Sequence, residues 1–171
     1  MAGSLIKIQE TTVSSAVASV TLTGIDSTYD VYMVSVAGLE SDTDTVDVNL
    51  RFTVSGSADT SANYDYAGKI LRTSTTFFNN SATNQTEIDL AQLGNATGEQ
   101  FNCTLYCFNF NNSSEYSFIT KEPITINATP DLRANTGGGV LTVAQATDGV
   151  FFFLSSGNID NGTFTLYGLK K

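Results

Sequence analysis

The chain has no histidine and no tryptophan, and only two cysteines, two prolines and two methionines among its 171 residues. Without histidine, Ser-His-Asp and Cys-His nucleophile pairs and every His-ligated zinc site are excluded. Two cysteines cannot build a four-Cys zinc site within one chain. Cys103 and Cys107 lie in the strand-like run Phe101-Asn102-Cys103-Thr104-Leu105-Tyr106-Cys107-Phe108. On a strand they point to one face about 13 Å apart. A disulfide needs Cα atoms within about 7 Å, so the pair is expected to be unbridged core. Basic residues are also scarce: 8 against 17 acidic, a net charge of −9. They are scattered from Lys7 to Lys171 with no patch, so no nucleic-acid partner is expected. No apolar run approaches the ~20 residues of a membrane helix, and Met1 to Leu5 lacks the basic start of a signal peptide. A soluble chain made in the cytoplasm is expected, with no membrane insertion. Phosphate-binding glycine loops are missing too. Gly137-Gly138-Gly139 has no following helix and reads as a flexible or crowded loop.

What is present is strand grammar. Eleven Phe and seven Tyr sit among Thr, Ser, Asn, Val and Gly, the mix expected of strands joined by tight turns. Ala18, Val20 and Leu22 alternate with Ser19, Thr21 and Thr23. Val46, Val48, Leu50, Phe52 and Val54 alternate with Asp47, Asn49, Arg51, Thr53 and Ser55. That period of two places one face inward and one outward. Tyr29 to Leu39 and Phe101 to Phe110 are apolar on both faces, which predicts central strands or contacts with another subunit. Further strands are expected at 5–9, 64–72, 75–78, 86–90, 116–120 and 140–143, with loops at 56–63 and 79–84. Ala91 to Leu93 suggests one helical turn, and Pro123 an edge strand or a break. The final run Phe151 to Lys171, an apolar stretch, a Gly/Asn/Asp turn and an alternating stretch, reads as a closing β-hairpin.

With nothing but strands to cover apolar faces, sheet must pack on sheet. The expectation is a single all-β domain over 1–171: a two-sheet antiparallel β-sandwich of jelly-roll type, of about ten to twelve strands. A closed barrel is the alternative. An immunoglobulin fold fits less well, since the Cys…Trp…Cys hallmark is absent. The extra Phe, Tyr and Val on the doubly apolar strands need cover, which predicts a homotrimer.

Candidate chemistry is thin. Asp65, Glu87, Asp89 and Glu115 are acids from which a glycosidase pair could be drawn, but sequence supplies no pairing. The loop Glu40 to Asp47 carries alternating carboxylates that superficially suit calcium. It lacks the Gly and the bidentate Glu of an EF-hand loop and reads as a solvated acidic loop. Tyr64 and Tyr66 share a face and are candidate ligand or interface contacts, either as a sugar-stacking platform or, more commonly, as packing. The expectation is a non-enzyme with no cofactor.

The segments Ile6 to Thr12 and Val20 to Tyr32 carry a resemblance, as do Ser55 to Asp59, Asn63 to Asp65 and Leu71-Arg72. Leu154 to Asn158 and Phe164 to Leu169 complete it. Together they resemble a family of small all-β virion proteins encoded by tailed phages of marine bacteria and cyanobacteria. These are structural phrases rather than active-site motifs, and the resemblance carries no catalytic residues. It implies a virion surface protein of capsid decoration or head-fibre type, docking on other phage virion proteins through apolar strand faces. The alternative is a receptor-binding tail-fibre or baseplate tip that displays loops such as 56–63 and 79–84 to a host surface glycan or protein.

Overall fold

The computed structural model describes residues 4–74, 76–129 and 131–170, which carry thirteen strands and no helix. In order they are β1 (Ser4–Val13), β2 (Ser19–Thr23), β3 (Val31–Ser41), β4 (Val46–Val54), β5 (Ser57–Ala58), β6 (Tyr64–Arg72) and β7 (Phe78–Gln85). Then come β8 (Ile88–Leu93), β9 (Phe101–Phe108), β10 (Ser117–Ile126), β11 (Leu132–Leu141), β12 (Gly149–Leu154) and β13 (Ile159–Lys170). Eight form one antiparallel sheet in the order β1-β13-β3-β9-β10-β11-β6-β7. Five form a second, β2-β12-β4-β5, with β8 beside β5 on the same flank of β4. The two-sheet sandwich expected from the alternation is therefore present. These orders alone do not spell the jelly-roll connectivity.

The core lies between the sheets. The inward set of β4, Val46, Val48, Leu50 and Phe52, is fully buried and faces Tyr32, Val34 and Val36 of β3 and Phe101, Leu105 and Cys107 of β9 among others. Phe52 packs on Phe110 with ring centres 4.7 Å apart, and Phe152 on Phe164 at 5.3 Å. Both doubly apolar strands are internal: β3 lies between β13 and β9, and β9 between β3 and β10.

Both flanks of the sandwich are closed by side chains reaching backbone across the gap. On one, the Gln9 amide of β1 donates to the Thr21 carbonyl and accepts from the Thr23 N–H. On the other, Lys121 of β10 and Asn135 of β11 donate to the consecutive carbonyls of Asp89 and Leu90 in β8. Those carbonyls are accessible because β8 carries a bulge: Ala91 pairs with Val48 and Asp89 with Asn49, which leaves Leu90 as the extra residue. A bulge breaks the ladder locally and leaves backbone groups in need of other partners.

Six sequence expectations are corrected. The closing hairpin does not form: β12 pairs with β2 and β4 in the smaller sheet, and β13 with β1 and β3 in the larger. The link Ser155–Asn158 crosses between sheets, held by Asp42, whose carboxylate accepts from both the Asn158 backbone and its side-chain amide. Gly157 turns there at φ +70°, where other residues are strained. Residues 79–84 are strand β7, because the Asn and Ser side chains suit an edge that faces water. The strand expected at 75–78 contributes only Phe78, and Thr75 lies outside the described residues.

Ala91 to Leu93 continue β8 rather than making a helical turn. Gly137 to Gly139 lie inside β11 instead of forming a loop. A Cβ at Gly137 would meet the Ala67 carbonyl oxygen, and one at Gly139 would meet Ile88, so close approach of neighbouring strands is what requires glycine. Finally, Pro123 sits mid-way along internal strand β10. The β10–β11 ladder skips it, running from Lys121↔Gly137 to Ile124↔Ala134, so the missing N–H leaves a gap rather than an edge.

Candidate functional site

Tyr64 and Tyr66 do share a face, but it is the inner one. Tyr64 is fully buried. Its hydroxyl accepts from the Phe52 N–H at 3.0 Å and donates to the Asp59 carbonyl at 3.1 Å. Its ring meets Phe52 edge-on at 5.5 Å, and burial pushes its phenol pKa well above the usual value. Tyr66 is half-buried and lies under the Lys121 ammonium, 5.2 Å from its ring centre. The inward register of β6 commits Tyr64 to the interior, while Tyr66 keeps partial exposure.

The acids are likewise spent locally. Asp65 accepts from the Asn84 N–H, Glu87 pairs with Arg51 at 3.0 Å, and Glu115 is exposed on the β9–β10 turn. In the 40–47 loop Glu40 accepts from Gln100 and Asp42 organises the Ser155–Asn158 link. The hydrogen bonds from Asn158, then that from Thr43, hold the Asp42 carboxyl below its ordinary range. No group of three acidic or cysteine side chains suited to a metal ion occurs among the described residues.

Asp89 alone points into an electrostatically unusual place. A cleft of about 180 Å³ between β8 and the β6–β7–β11 end of the larger sheet is lined by Asp47, Asn80, Asp89, Gln92, Arg133 and Asn135. Burial first, then the charge of Asp89, raises the Asp47 pKa, while Arg133 opposes the rise. Asn80 donates to Asp89 Oδ2 at 2.7 Å, and Arg133 donates to Gln92 at 3.1 Å. At the back of this cluster Lys121 is fully buried. Desolvation lowers its pKa to about 8, against the opposing charge of Asp89. Three polar atoms of residues lining the cleft, Asp89 Oδ1, Asn135 Oδ1 and Arg133 Nε, have no hydrogen-bond partner, Arg133 Nε lying 3.9 Å from Asp131 Oδ2. Buried polar groups without partners are rare in native interiors and call for an explanation.

The second unusual surface is the outer face of the larger sheet. Its register lines up apolar side chains across strands: Leu5 opposite Leu169, Val31 opposite Phe108, Phe108 opposite Phe118, and Phe118 opposite Val140. The adjacent row runs Tyr167, Met33, Tyr106, Thr120, Gly138 and Ala67. Leu5 is 47% exposed, Phe118 42%, Leu169 39% and Tyr106 38%. Where the band reaches Gly138, the missing side chain opens a groove of about 720 Å³ between Phe118 and Val140 on one side and Asp65, Ser81 and Thr83 on the other. Sequence reasoning had marked β3 and β9 as apolar on both faces. It could not show that β10, β11 and β13 continue the same row, because register across strands is not written in any one strand.

Comparison with known proteins finds no family model and no curated relative that matches the chain.

Proposed function

We propose that this chain is a non-enzymatic structural protein of a tailed-phage particle, of the capsid decoration or head-fibre type. It docks through the outer face of its eight-stranded sheet and assembles as a homotrimer on neighbouring virion proteins. The observation that carries the reading is the apolar band from Leu5 and Leu169 to Val140. Monomeric proteins rarely leave contiguous apolar patches beyond a few hundred Å² uncovered. With each of the four most exposed members offering ~80 Å², cover would contribute roughly 8 kcal/mol per face at ~25 cal/mol per Å². Association costs about 4–15 kcal/mol, so one such contact is marginal and many copies on a preassembled lattice are favoured. The acidic surface suits a particle component that must not adhere to nucleic acid.

The second reading, a receptor-binding tip, is favoured by the groove at Gly138, whose polar wall of Asp65, Ser81 and Thr83 opposes an apolar one. Copy number in purified virions, by quantitative mass spectrometry against the major capsid protein, separates the two. Hundreds of copies are expected for a shell protein. A few to a few tens would indicate the tip, and none would overturn both. In parallel, Phe118→Asp should dissociate the purified oligomer in sedimentation while leaving the fold intact. A monomeric parent protein would remove the trimer.

A further inference from the structure

We infer that Asn161 is a site of spontaneous covalent modification in the folded chain. The Gly162 backbone nitrogen closes on the Asn161 side-chain amide, and the cyclic imide so formed opens to aspartate and isoaspartate.

Asn161 is the one asparagine of the sequence that is followed by glycine. A following side chain, such as Tyr64 after Asn63 or Ile159 after Asn158, crowds the closure, and glycine leaves the backbone nitrogen open to close approach. The tertiary structure adds the alignment. The β13–β3 ladder changes register on both sides of Asn161, and its pairs Asn161↔Glu40 and Thr163↔Ala37 pass over Gly162. A bulged residue leaves the ladder, and its backbone groups find other partners. The Gly162 N–H is turned to the adjoining side chain and donates to Asn161 Oδ1 at 2.8 Å. Cγ is bonded to that oxygen, so it lies within about 4 Å of the nitrogen before any motion. Reacting atoms in an attack-ready pair stand about 3–3.5 Å apart, a gap that a small turn of the amide closes. When the nitrogen loses its proton, its lone pair takes the direction of the former N–H bond and points at the carbonyl to be attacked. Gly162 holds this geometry at φ +142°, with Leu39 Cα 3.1 Å from where a Cβ would stand. Asn161 itself is exposed, so hydroxide and water reach it. Asn112 and Asn127 differ: their side chains accept from the backbone of Ser114 and Asp131, residues further along the chain.

The step balances with water as the co-reactant. Hydroxide removes the Gly162 amide proton, and the nitrogen attacks Asn161 Cγ. The Cγ–Nδ2 bond breaks, and the leaving nitrogen takes a proton from water and departs as ammonia. Water then adds to one of the two imide carbonyls. Breaking the new Cγ–N bond gives aspartate. Breaking the original peptide C–N bond gives isoaspartate, with the main chain rerouted through Cγ. One water is consumed and one ammonia released, with nothing oxidised or reduced. The product bears on the fold. Asn161 stands opposite Glu40 and beside Asp160, so the new carboxylate sets like charges across β13 and β3. Isoaspartate also adds a methylene to the main chain at the bulge. This site does not depend on the particle-surface reading.

Incubation of the purified full chain at mildly alkaline pH, followed by peptide mapping with mass spectrometry, tests it. Residue 161 should exchange its amino group for a hydroxyl and appear as both aspartate and isoaspartate. The rate should rise with hydroxide and be no slower than in the urea-unfolded chain, because the fold already aligns the pair. The modified fraction should melt below the fresh protein. Asn161→Gln, whose extra carbon demands a larger ring, should abolish the change at 161 with an unchanged circular dichroism spectrum. Conversion in urea with Asn161 intact in the folded chain overturns the inference. So does aspartate without isoaspartate, which would mean direct hydrolysis by water, and so does another asparagine converting first.

Discussion

Removing one oxygen from Tyr64 tests whether this side chain belongs to the interior. In the native chain its hydroxyl bridges the Phe52 N–H and the Asp59 carbonyl, at a fully buried position. Tyr64→Phe keeps the ring against Phe52 but leaves a buried backbone N–H without an acceptor, a loss of about 1–3 kcal/mol. For a domain of this size each kcal/mol moves the melting temperature by roughly 2–4 °C, so a fall of about 4–8 °C is expected for a loss near 2 kcal/mol. Tyr64→Ala adds a cavity under Phe52, and the loss should reach about 3–5 kcal/mol. Thermal unfolding followed by circular dichroism reads both, and urea midpoints check that the unfolding slope is unchanged. Neither substitution should alter sedimentation at temperatures where the chain is folded. A Tyr64→Phe protein that melts within about 1 °C of the parent would refute the burial argument and return Tyr64 to the surface as a contact residue.

Other consequences follow from particular contacts. Cys103 and Cys107 are unbridged, and burial pushes both thiols up to about 12. Neither should react with a thiol reagent at pH 8 until denaturant is added, and prompt labelling of the native chain would contradict the packing. Gly137→Ala should destabilise by about 1–3 kcal/mol, because its methyl meets backbone oxygen rather than a movable side chain. A neutral melting shift would show that β6 and β11 are less close than described. Asp131 accepts from Thr73 Oγ1 and from Arg72, which hold its carboxyl down to about 2 from 3.8. Because the folded pKa is the lower one, its contribution is present above about pH 4 and is lost as pH falls through 2. Asp131→Asn should therefore flatten the fall in melting temperature between pH 4 and 2, and an unchanged slope would mean the clasp is not formed in solution.

Strand existence was legible wherever a period of two ran long enough. The alternation at 46–54 became β4 with its inward residues buried, and the double apolarity of Tyr29 to Leu39 became an internal strand. The misreadings share one cause. Asn79 to Asn84 look like loop because Asn and Ser favour turns, yet they pair with β6 as an edge strand. The run Gly137 to Gly139 looks unstructured for the same local reason. It is strand because Ala67 and Ile88 crowd it from outside. Local composition reports intrinsic preference, and these segments were decided by neighbours distant in sequence.

The candidate sites divide in the same way. Tyr64 and Tyr66 were correctly read as sharing a face, but alternation cannot say which face is inward. Lys121 and Asn135 gave no signal, since a lysine in an alternating strand is ordinarily an outward one, and Asp89 stood only as one acid among four with no partner assigned.

The amino-acid sequence by itself determined an all-β chain, the absence of histidine chemistry, an acidic surface, and which residues of β4 and β9 share a side. Only the tertiary structure decided that β12 and β13 part into different sheets, that one apolar row crosses the larger sheet, and that a lysine and an asparagine turn inward onto the backbone carbonyls of β8. Periodicity is a property of one strand and is carried by bonds along the chain. Partner, register and facing sheet are set by burial summed over many strands at once.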